Sequence, residues 1–226
     1  QEIVNQLKDK SWVVLLKSLV HGGEEIAKGP LFELYVHHIF QKGGFSFEIK
    51  DLEAGTACGH LTIPANSPVV HIESLDELSG LSAKFKKGSK MPLFKPTIPN
   101  FPCIDLALAP DKLFQVTVSS DHPIKQAPLK EIAESILGSK WEKGGKKGKH
   151  LGLYFVVPDR IYAKFKAQSY STITGAASKN VPKIVQQRVK QYALKIDLKS
   201  ALAGESPGSS GATKKQQKKT LRKIRT

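Results

Sequence analysis

The stretch that most constrains the fold is LGLYFVV at residues 151–157, which is apolar without interruption. A run of this length and composition is typical of a strand that is buried on both faces of its sheet. Such a strand needs a layer of other elements on each side, and residues 31–40 and 129–137 have apolar positions at helical spacing. The sequence therefore predicts an α/β fold, in which helices flank a mixed β-sheet.

A β-hairpin is predicted upstream of this strand. Residues 103–109 and 113–119 are both apolar and strand-like, and only Pro110, Asp111 and Lys112 separate them. A connection this short joins antiparallel neighbours. The other expected elements are helices at residues 2–20, 30–42 and 182–194 and strands at residues 45–49 and 61–72.

Charge and composition divide the chain into two parts. Lys and Arg number 35 and Asp and Glu number 20, so the formal net charge is +15, which favours a polyanionic partner. Residues 201–226 begin with Gly, Ser and Pro and end in Lys and Arg, which is typical of a disordered linker and basic tail. We expect residues 1–200 to form one folded domain. The tail is either a nuclear-import or phosphate-contacting segment or a solvated arm without a partner.

Some classes of site are excluded by what the sequence lacks. Cys58 and Cys103 are too few for a disulfide framework or a four-cysteine zinc site, and they fit a reducing compartment such as cytosol or nucleus. No apolar run approaches the roughly 20 residues that span a bilayer, and no GxxxxGK[ST] loop occurs. We therefore expect neither a membrane partner nor a nucleotide cofactor. Because the chain begins with Gln1 rather than Met, we expect it to be a piece of a longer protein.

The hairpin carries the residues best suited to chemistry. Asp105 lies inside an apolar strand, and Gln115 and Thr117 lie two apart on the next strand, so that all three can share one surface. Carboxylate and amide oxygens are ligands that Mg²⁺ or Mn²⁺ prefers. Glu33 on the second helix, with His37 one turn later, can add a ligand or position a water molecule. The alternative is that the hairpin residues are ordinary polar side chains and that Glu33 makes a surface pair.

Several longer stretches resemble one known domain type. They are GPLFELYVHHIF followed by GGF, PNFPCIDLAL, LFQVTVSSDHPIK, LYFVVPDRIYAKFKAQ and VQQRVKQYAL. Over residues 11–197 they resemble the nuclease-like terminal domain of crinkler (CRN) effectors, which also occurs in retrotransposon hot spot (RHS) proteins. The resemblance implies a divergent PD-(D/E)xK fold of the restriction-endonuclease-like type, with the core order helix–strand–strand–strand–helix–strand (αβββαβ).

The resemblance also implies roles for individual residues. It places the motif aspartate on Asp105, the helix glutamate on Glu33 and the (D/E)xK motif on residues 115–117, so that Glu33, Asp105 and Gln115 would hold Mg²⁺ or Mn²⁺. Thr117 stands where the family has a lysine, whose charge orients water and stabilises the transition state. A lysine from elsewhere is expected to replace it. The candidates are Lys125, which belongs to the expected catalytic set, and Lys183 and Lys190.

Lysine-rich loops around the hairpin are the predicted nucleic-acid surface. Lysine predominates over arginine there, which suits contacts to phosphate better than contacts to base edges. Phe85 and Trp141 lie among these lysines, where each ring either stacks on an unpaired base or is buried. The resemblance adds two glutamines, which are expected on the last helix. The predicted nucleic-acid-binding residues are Lys84, Lys86, Lys87, Lys90, Lys143, Lys146, Lys147, Lys149, Gln186 and Gln191.

These predictions combine into one expected function and three alternatives. We expect a crinkler/RHS-type effector domain that binds DNA and acts as a Mg²⁺-dependent DNA endonuclease in the nucleus of the target cell. One alternative keeps the fold and the DNA but has no catalysis, and the residues at Gln115 and Thr117 favour it. Another is a protein-interaction domain that disables a host nuclear regulator. The last is a nuclease directed at RNA.

Overall fold

The computed structural model describes residues 12, 14–18, 25–83, 90–98, 101, 103–138, 148–178 and 180–203. Residues 12 and 14–18 are helical, and the rest of the expected first helix lies outside the described residues. The helices that follow are α1 Glu25–Lys42, α2 Leu75–Ala83, α3 Gln126–Leu137, α4 Asp159–Tyr162, α5 Lys183–Arg188 and α6 Leu198–Leu202. The strands are β1 Phe45–Asp51, β2 Thr56–Ile63, β3 Val69–Ile72, β4 Leu93–Pro96, β5 Leu106–Leu108, β6 Lys112–Val116, β7 Ile124–Lys125, β8 Leu151–Pro158, β9 Tyr170–Ser171 and β10 Val189–Ile196.

One mixed sheet organises most of the described strands, in the order β2-β1-β10-β8-β6-β5-β4-β3. Its centre is parallel, since β8 runs parallel to both β10 and β6. The β4–β5–β6 and β2–β1–β10 parts are antiparallel. β7 and β9 form a separate two-stranded parallel ribbon. The predicted mixed sheet flanked by helices is confirmed.

Helices cover both faces of this sheet. On one face, Phe32 and Phe40 of α1 pack in a cluster with Val156 of β8. On the other face, Phe155 packs in a second cluster with Leu129 of α3 and with side chains of α2 and α5. The apolar run at 151–157 is thus a strand between two layers, as predicted. None of the described helices is long and apolar enough to cross a membrane.

The predicted hairpin is present, with shorter strands than expected. β5 and β6 pair antiparallel, with Leu106 opposite Phe114 and Leu108 opposite Lys112. β6 then leads through α3 to β8, which lies beside it in parallel. The chain therefore contains α1, β4, β5, β6, α3 and β8 in that order, and α1 and α3 lie on opposite faces of the sheet.

Two predicted helix boundaries are wrong. α1 begins at Glu25, so that Pro30 lies inside the helix rather than at its start. Residues 182–194 do not form one helix, because α5 ends at Arg188 and β10 begins at Val189. All eight residues of β10 pair with β8 in the centre of the sheet. The pairing and burial available there outweigh the helical spacing of the apolar residues.

Candidate active site

Asp105 lies just before β5, at the start of the hairpin. Its backbone N–H donates to the carbonyl oxygen of Phe114 at 2.8 Å, and its Oδ2 accepts a hydrogen bond from the N–H of Val116 at 2.6 Å. Because Leu106 is paired with Phe114, Asp105 and Gln115 are the next residues along the two strands. The predicted placement of Asp105 and Gln115 side by side on adjacent strands is therefore observed.

The surroundings of Asp105 favour its protonated form. Its pKa is raised from an ordinary 3.8 to about 7, chiefly by burial. The Val116 N–H opposes this rise, and the carboxylate of Glu33 adds to it. Since a nearby cation favours the ionised form, a carboxyl with this pKa is poised to exchange its proton for a cation near neutral pH.

Glu33 approaches this carboxyl from α1. The helix buries an apolar stripe that includes Phe32 and Val36, and Glu33 lies beside the stripe with 47% of its side chain exposed. Its Oε1 is 3.9 Å from Nε2 of His37, one turn later. Burial raises the pKa of Glu33, and the positive charge of Lys95 opposes that rise. Two carboxyl groups from different elements therefore interact at the end of the hairpin.

Lys95 of β4 supplies a positive charge to this group. Leu93, two residues earlier, packs in the cluster with α1, so strand alternation puts Lys95 on the same face. Only 5% of Lys95 is exposed. Burial lowers its pKa, and the charge of Glu33 counteracts that effect. Burial and the charge of Lys95 together lower the pKa of His37 to about 4, so His37 is neutral at physiological pH.

Sequence reasoning missed Lys95 as a member of the site. This residue follows Lys90, a member of the predicted nucleic-acid surface, by five positions in the sequence. A usable signal was present, because Lys95 directly follows Leu93 and Phe94 in a strand-like run before Pro96. A lysine in a buried apolar strand is unusual unless a partner compensates its charge.

Gln115 does not share the face of Glu33. Its neighbours Phe114 and Val116 pack in the cluster with α1, so alternation directs Gln115 to the opposite face, beside Asp105. Its Oε1 is buried and has no hydrogen-bond partner among the described residues. Asp105 therefore interacts electrostatically with Glu33 and lies opposite Gln115. Glu33 and Gln115 themselves lie on opposite faces of the sheet.

Thr117 is buried and occupied by a local bond. Its Oγ1 accepts a hydrogen bond from the N–H of Ser119 at 3.1 Å, and its own N–H donates to the carbonyl oxygen of Val156. These bonds close the turn that follows β6. Thr117, at the lysine position of the predicted motif, therefore stabilises this turn. Its hydroxyl cannot supply the positive charge of a lysine.

The three lysines predicted to replace the motif lysine lie at the surface. Lys125 on β7 is exposed and interacts electrostatically with the thiol of Cys103, whose pKa burial raises to about 12. Lys183 and Lys190 are also exposed, on α5 and β10 respectively. The charge that acts on Glu33 comes instead from Lys95.

The predicted nucleic-acid surface is described only in part. Lys90 and Lys149 are exposed. Gln186 is exposed, and its Nε2 donates to the carbonyl oxygen of Val181 at 3.0 Å. The predicted helical position of Gln191 is wrong, since it lies in β10 with its side chain buried. The predicted residues that lie outside the described part of the chain are Lys84, Phe85, Lys86, Lys87, Trp141, Lys143, Lys146, Lys147 and the tail from 204 to 226.

The donor set at this end of the hairpin suits a hard divalent cation. In the described part of the chain, no three His, Cys, Asp or Glu side chains are grouped for metal binding. Glu33 and Asp105 nevertheless offer two carboxylates, and Gln115, whose Oε1 has no hydrogen-bond partner among the described residues, lies opposite Asp105 in the hairpin register. A Mg²⁺ ion commonly takes only one or two carboxylates and completes its octahedron with water and substrate phosphate.

Comparison of the chain with protein-family models, with curated proteins and with solved structures finds no match. The resemblance to crinkler and RHS domains therefore stays a prediction. The residues of the site and their geometry are therefore the basis for the function proposed below.

The raised pKa of Asp105 predicts a pH-dependent stability. A carboxyl whose pKa is higher in the folded protein stabilises the fold fully below its ordinary pKa of 3.8, and this contribution is lost as the pH rises through about 7. Between pH 5 and pH 8, the unfolding free energy of wild type should fall by about 2–3 kcal/mol relative to that of Asp105→Asn, because Asn does not ionise. Urea denaturation without divalent cations measures this. A difference for Asp105→Asn that stays constant between pH 5 and pH 8 would contradict the assignment.

Proposed function

We propose that this chain is a crinkler/RHS-type effector domain with a restriction-endonuclease-like PD-(D/E)xK fold, which binds DNA and cleaves it with Mg²⁺ or Mn²⁺ in the nucleus of the target cell. The elements α1, β4, β5, β6, α3 and β8 follow the αβββαβ order that the resemblance implies, with β1, β2, β3 and α2 inserted before β4 and β7 before α3, and this order supports the fold. The positions of α1 and α3 on opposite faces of the sheet agree with that arrangement. The net charge of +15 supports the polyanionic substrate.

The observation that carries the catalytic part is the coupling of Glu33, Asp105 and Lys95. The three side chains come from α1, the start of β5 and β4, and Glu33 interacts electrostatically with both Asp105 and Lys95. Two acids and a lysine are what phosphodiester hydrolysis by a metal-dependent nuclease needs. Burying the charge of Lys95 is costly, and the half-exposed carboxylate of Glu33 compensates it, which favours a functional role over a structural one.

Each side chain has a definite task in this proposal. When bound, Mg²⁺ would polarise a phosphoryl oxygen and lower the pKa of a bound water molecule. Asp105 and Glu33 would hold the ion, and Asp105 would lose its proton as the ion binds. The buried Lys95 carries a positive charge that interacts with Glu33, and there it would stabilise the negative charge that develops on phosphate. The alternation of β6 leaves Gln115 to support Asp105 from the other face.

A DNA-binding module without catalysis is the second candidate. It is favoured by Gln115 and Thr117, since neither provides the carboxylate and the lysine that the motif has at these positions. In that case the coupled acids and Lys95 would serve only to shape a DNA-binding surface.

Metal binding separates the two candidates without depending on turnover. Mn²⁺ binding, followed by electron paramagnetic resonance of the free ion, should be detectable for wild type and should strengthen with a bound DNA duplex. Glu33→Gln should weaken Mn²⁺ binding by at least about tenfold, whereas the exposed Glu131→Gln should not. Equal Mn²⁺ titrations for wild type and Glu33→Gln, with unchanged DNA binding in EDTA, would support the non-catalytic module.

A further inference from the structure

A small β-hairpin formed by residues 170–178 carries an exposed isoleucine at its tip. β9 forms its outgoing arm, and Ser171 makes an isolated bridge with Ala177 on the return. Ile173 in the turn is 70% exposed, the most exposed large apolar side chain among the described residues. Residues 173–177 are all exposed, so this tip projects from the body.

The tip is held in a defined shape by its own hydrogen bonds. The N–H of Thr172 donates to Ala176 at 2.8 Å, and the N–H of Gly175 donates to Thr172 at 3.1 Å. Gly175 has a φ of +89°, a conformation that favours glycine, and so the turn is built into the sequence. The hydroxyls of Thr172 and Thr174 are 2.9 Å apart on either side of Ile173. Ile173 is therefore presented on a formed turn.

Buried glutamines anchor the base of this hairpin to the sheet. The N–H of Gln168 donates to Oε1 of Gln191 in β10, and Nε2 of Gln191 donates to the carbonyl oxygen of Gln168 and to the hydroxyl of Tyr170. Oε1 of Gln168 in turn accepts from the N–H of His122 at 2.6 Å, in the loop after β6. Both glutamine side chains are buried. Gln191 uses its amide oxygen and its amide nitrogen in these bonds, and Gln168 uses its amide oxygen. The hairpin thus sits on a rigid support.

The same support places the hairpin at the end of the sheet that carries the candidate active site. β9 pairs with β7, with Ser171 opposite Lys125. Gln168 at the base of the hairpin also bonds to Ser120 and His122 in the loop after β6, and Asp105 accepts a hydrogen bond from Val116 at the end of β6. A duplex held at Asp105 would therefore pass close to the hairpin.

The charge around the hairpin indicates what it contacts. Residues 160–196 contain eight Lys and Arg and no Asp or Glu, although Arg188 is buried and Lys195 is paired with Glu48. Among the described ones, Lys164 and Lys166 are exposed on the segment that leads into the hairpin. A basic surface attracts a polyanion, and threonine hydroxyls beside an apolar tip suit contacts to phosphate and bases.

We propose that this hairpin enters a groove of the DNA duplex and that Ile173 wedges between neighbouring base pairs. Isoleucine is one of the apolar residues that proteins insert between base steps, which partly unstacks them. The paired hydroxyls of Thr172 and Thr174 then lie together beside Ile173, where one of them can donate to a phosphate oxygen. The proposal rests on DNA binding by this domain and adds the element that grips and distorts the duplex near the cleavage site.

Binding to a duplex that contains 2-aminopurine tests the wedge, because fluorescence of this base rises when it unstacks. In Ca²⁺ or EDTA, wild type should raise the fluorescence, and Ile173→Ser should abolish the rise and weaken binding by about 10–100-fold. Ile173→Leu should behave like wild type. The matched control is Val14→Ser, since Val14 is also an exposed aliphatic residue, at 65%.

The outcomes separate the hairpin from the proposed function. If wild type and Ile173→Ser bind with equal affinity and give equal fluorescence, the wedge is refuted and DNA binding stands. Binding by wild type without a fluorescence rise at any position of the probe also refutes the wedge. If wild type does not bind DNA, the wedge and the proposed function are both refuted. Circular dichroism of Ile173→Ser checks that the exposed substitution leaves the fold unchanged.

Discussion

DNA binding is expected to weaken by about 10³–10⁵-fold when the salt concentration rises from 50 to 200 mM. The net charge is +15, and lysine-rich segments at residues 84–95 and 140–149 add to the acid-free stretch at 160–196. We expect roughly 6–10 lysine–phosphate contacts, each of which releases counterions on binding. Fluorescence anisotropy of a labelled duplex across this salt range gives the slope of log affinity against log salt concentration.

Two further tests distinguish electrostatic contacts to phosphate from recognition of the DNA base sequence. Unrelated duplexes of equal length should show the same slope, because lysine contacts to phosphate carry no sequence information. Replacing Lys84, Lys86, Lys87 and Lys90 with Gln should make the slope of log affinity against log salt concentration shallower by up to about four. Removal of residues 204–226 should reduce the slope by a comparable amount. An affinity that does not depend on salt, or that one base change abolishes, is the result that contradicts an electrostatic interface.

Replacing Lys95 with Met is expected to lower the rate of DNA cleavage by about 10²–10³-fold. Removing one preorganised charge or donor from a transition state typically has an effect of this size. Met keeps the length and the apolar stem of the buried side chain, so the packing against the α1 face is preserved while the charge is lost. Single-turnover cleavage of a supercoiled plasmid at saturating protein measures the rate apart from binding.

Lys90→Met is the matched control, since it removes the same charge from an exposed position five residues earlier. It should weaken binding slightly at low salt and leave the single-turnover rate unchanged. Lys95→Arg should keep part of the activity, because the positive charge is retained at an altered position. If Lys95→Met cleaves as fast as wild type, Lys95 has no role in the reaction. In that case Lys95 does not take the place of the motif lysine that Thr117 replaces.

The parts of the fold that sequence patterns predicted are those where one physical signal dominates. Residues 151–157 have no polar side chain, and only a strand between two layers accommodates them in this context. The hairpin follows from two apolar runs and a three-residue connection. Residues 189–194 are predicted as helix because apolar positions before and within them fit a helical period, and the pairing with β8 that decides the outcome is not visible locally.

The candidate site was predictable to a smaller extent. Asp105 stands out because a carboxylate in an apolar strand is unusual, and Gln115 follows from the hairpin register. The face on which each side chain lies depends on which helix covers which face, and alternation alone does not reveal this. Lys95 lies two strands away from β6 and far from Glu33 in sequence, so only the folded sheet shows that they interact.

Cleavage of a supercoiled plasmid by wild type and by Asp105→Asn, purified in parallel, tests the central claim most directly. Asn keeps an oxygen that can accept the Val116 N–H hydrogen bond, but it removes the negative charge that would hold the metal ion. The account predicts nicking by wild type in Mg²⁺ or Mn²⁺, none in EDTA, and loss of nicking in Asp105→Asn, which still binds DNA. Equal nicking by both proteins, or none by wild type at metal concentrations that saturate the site, would contradict it.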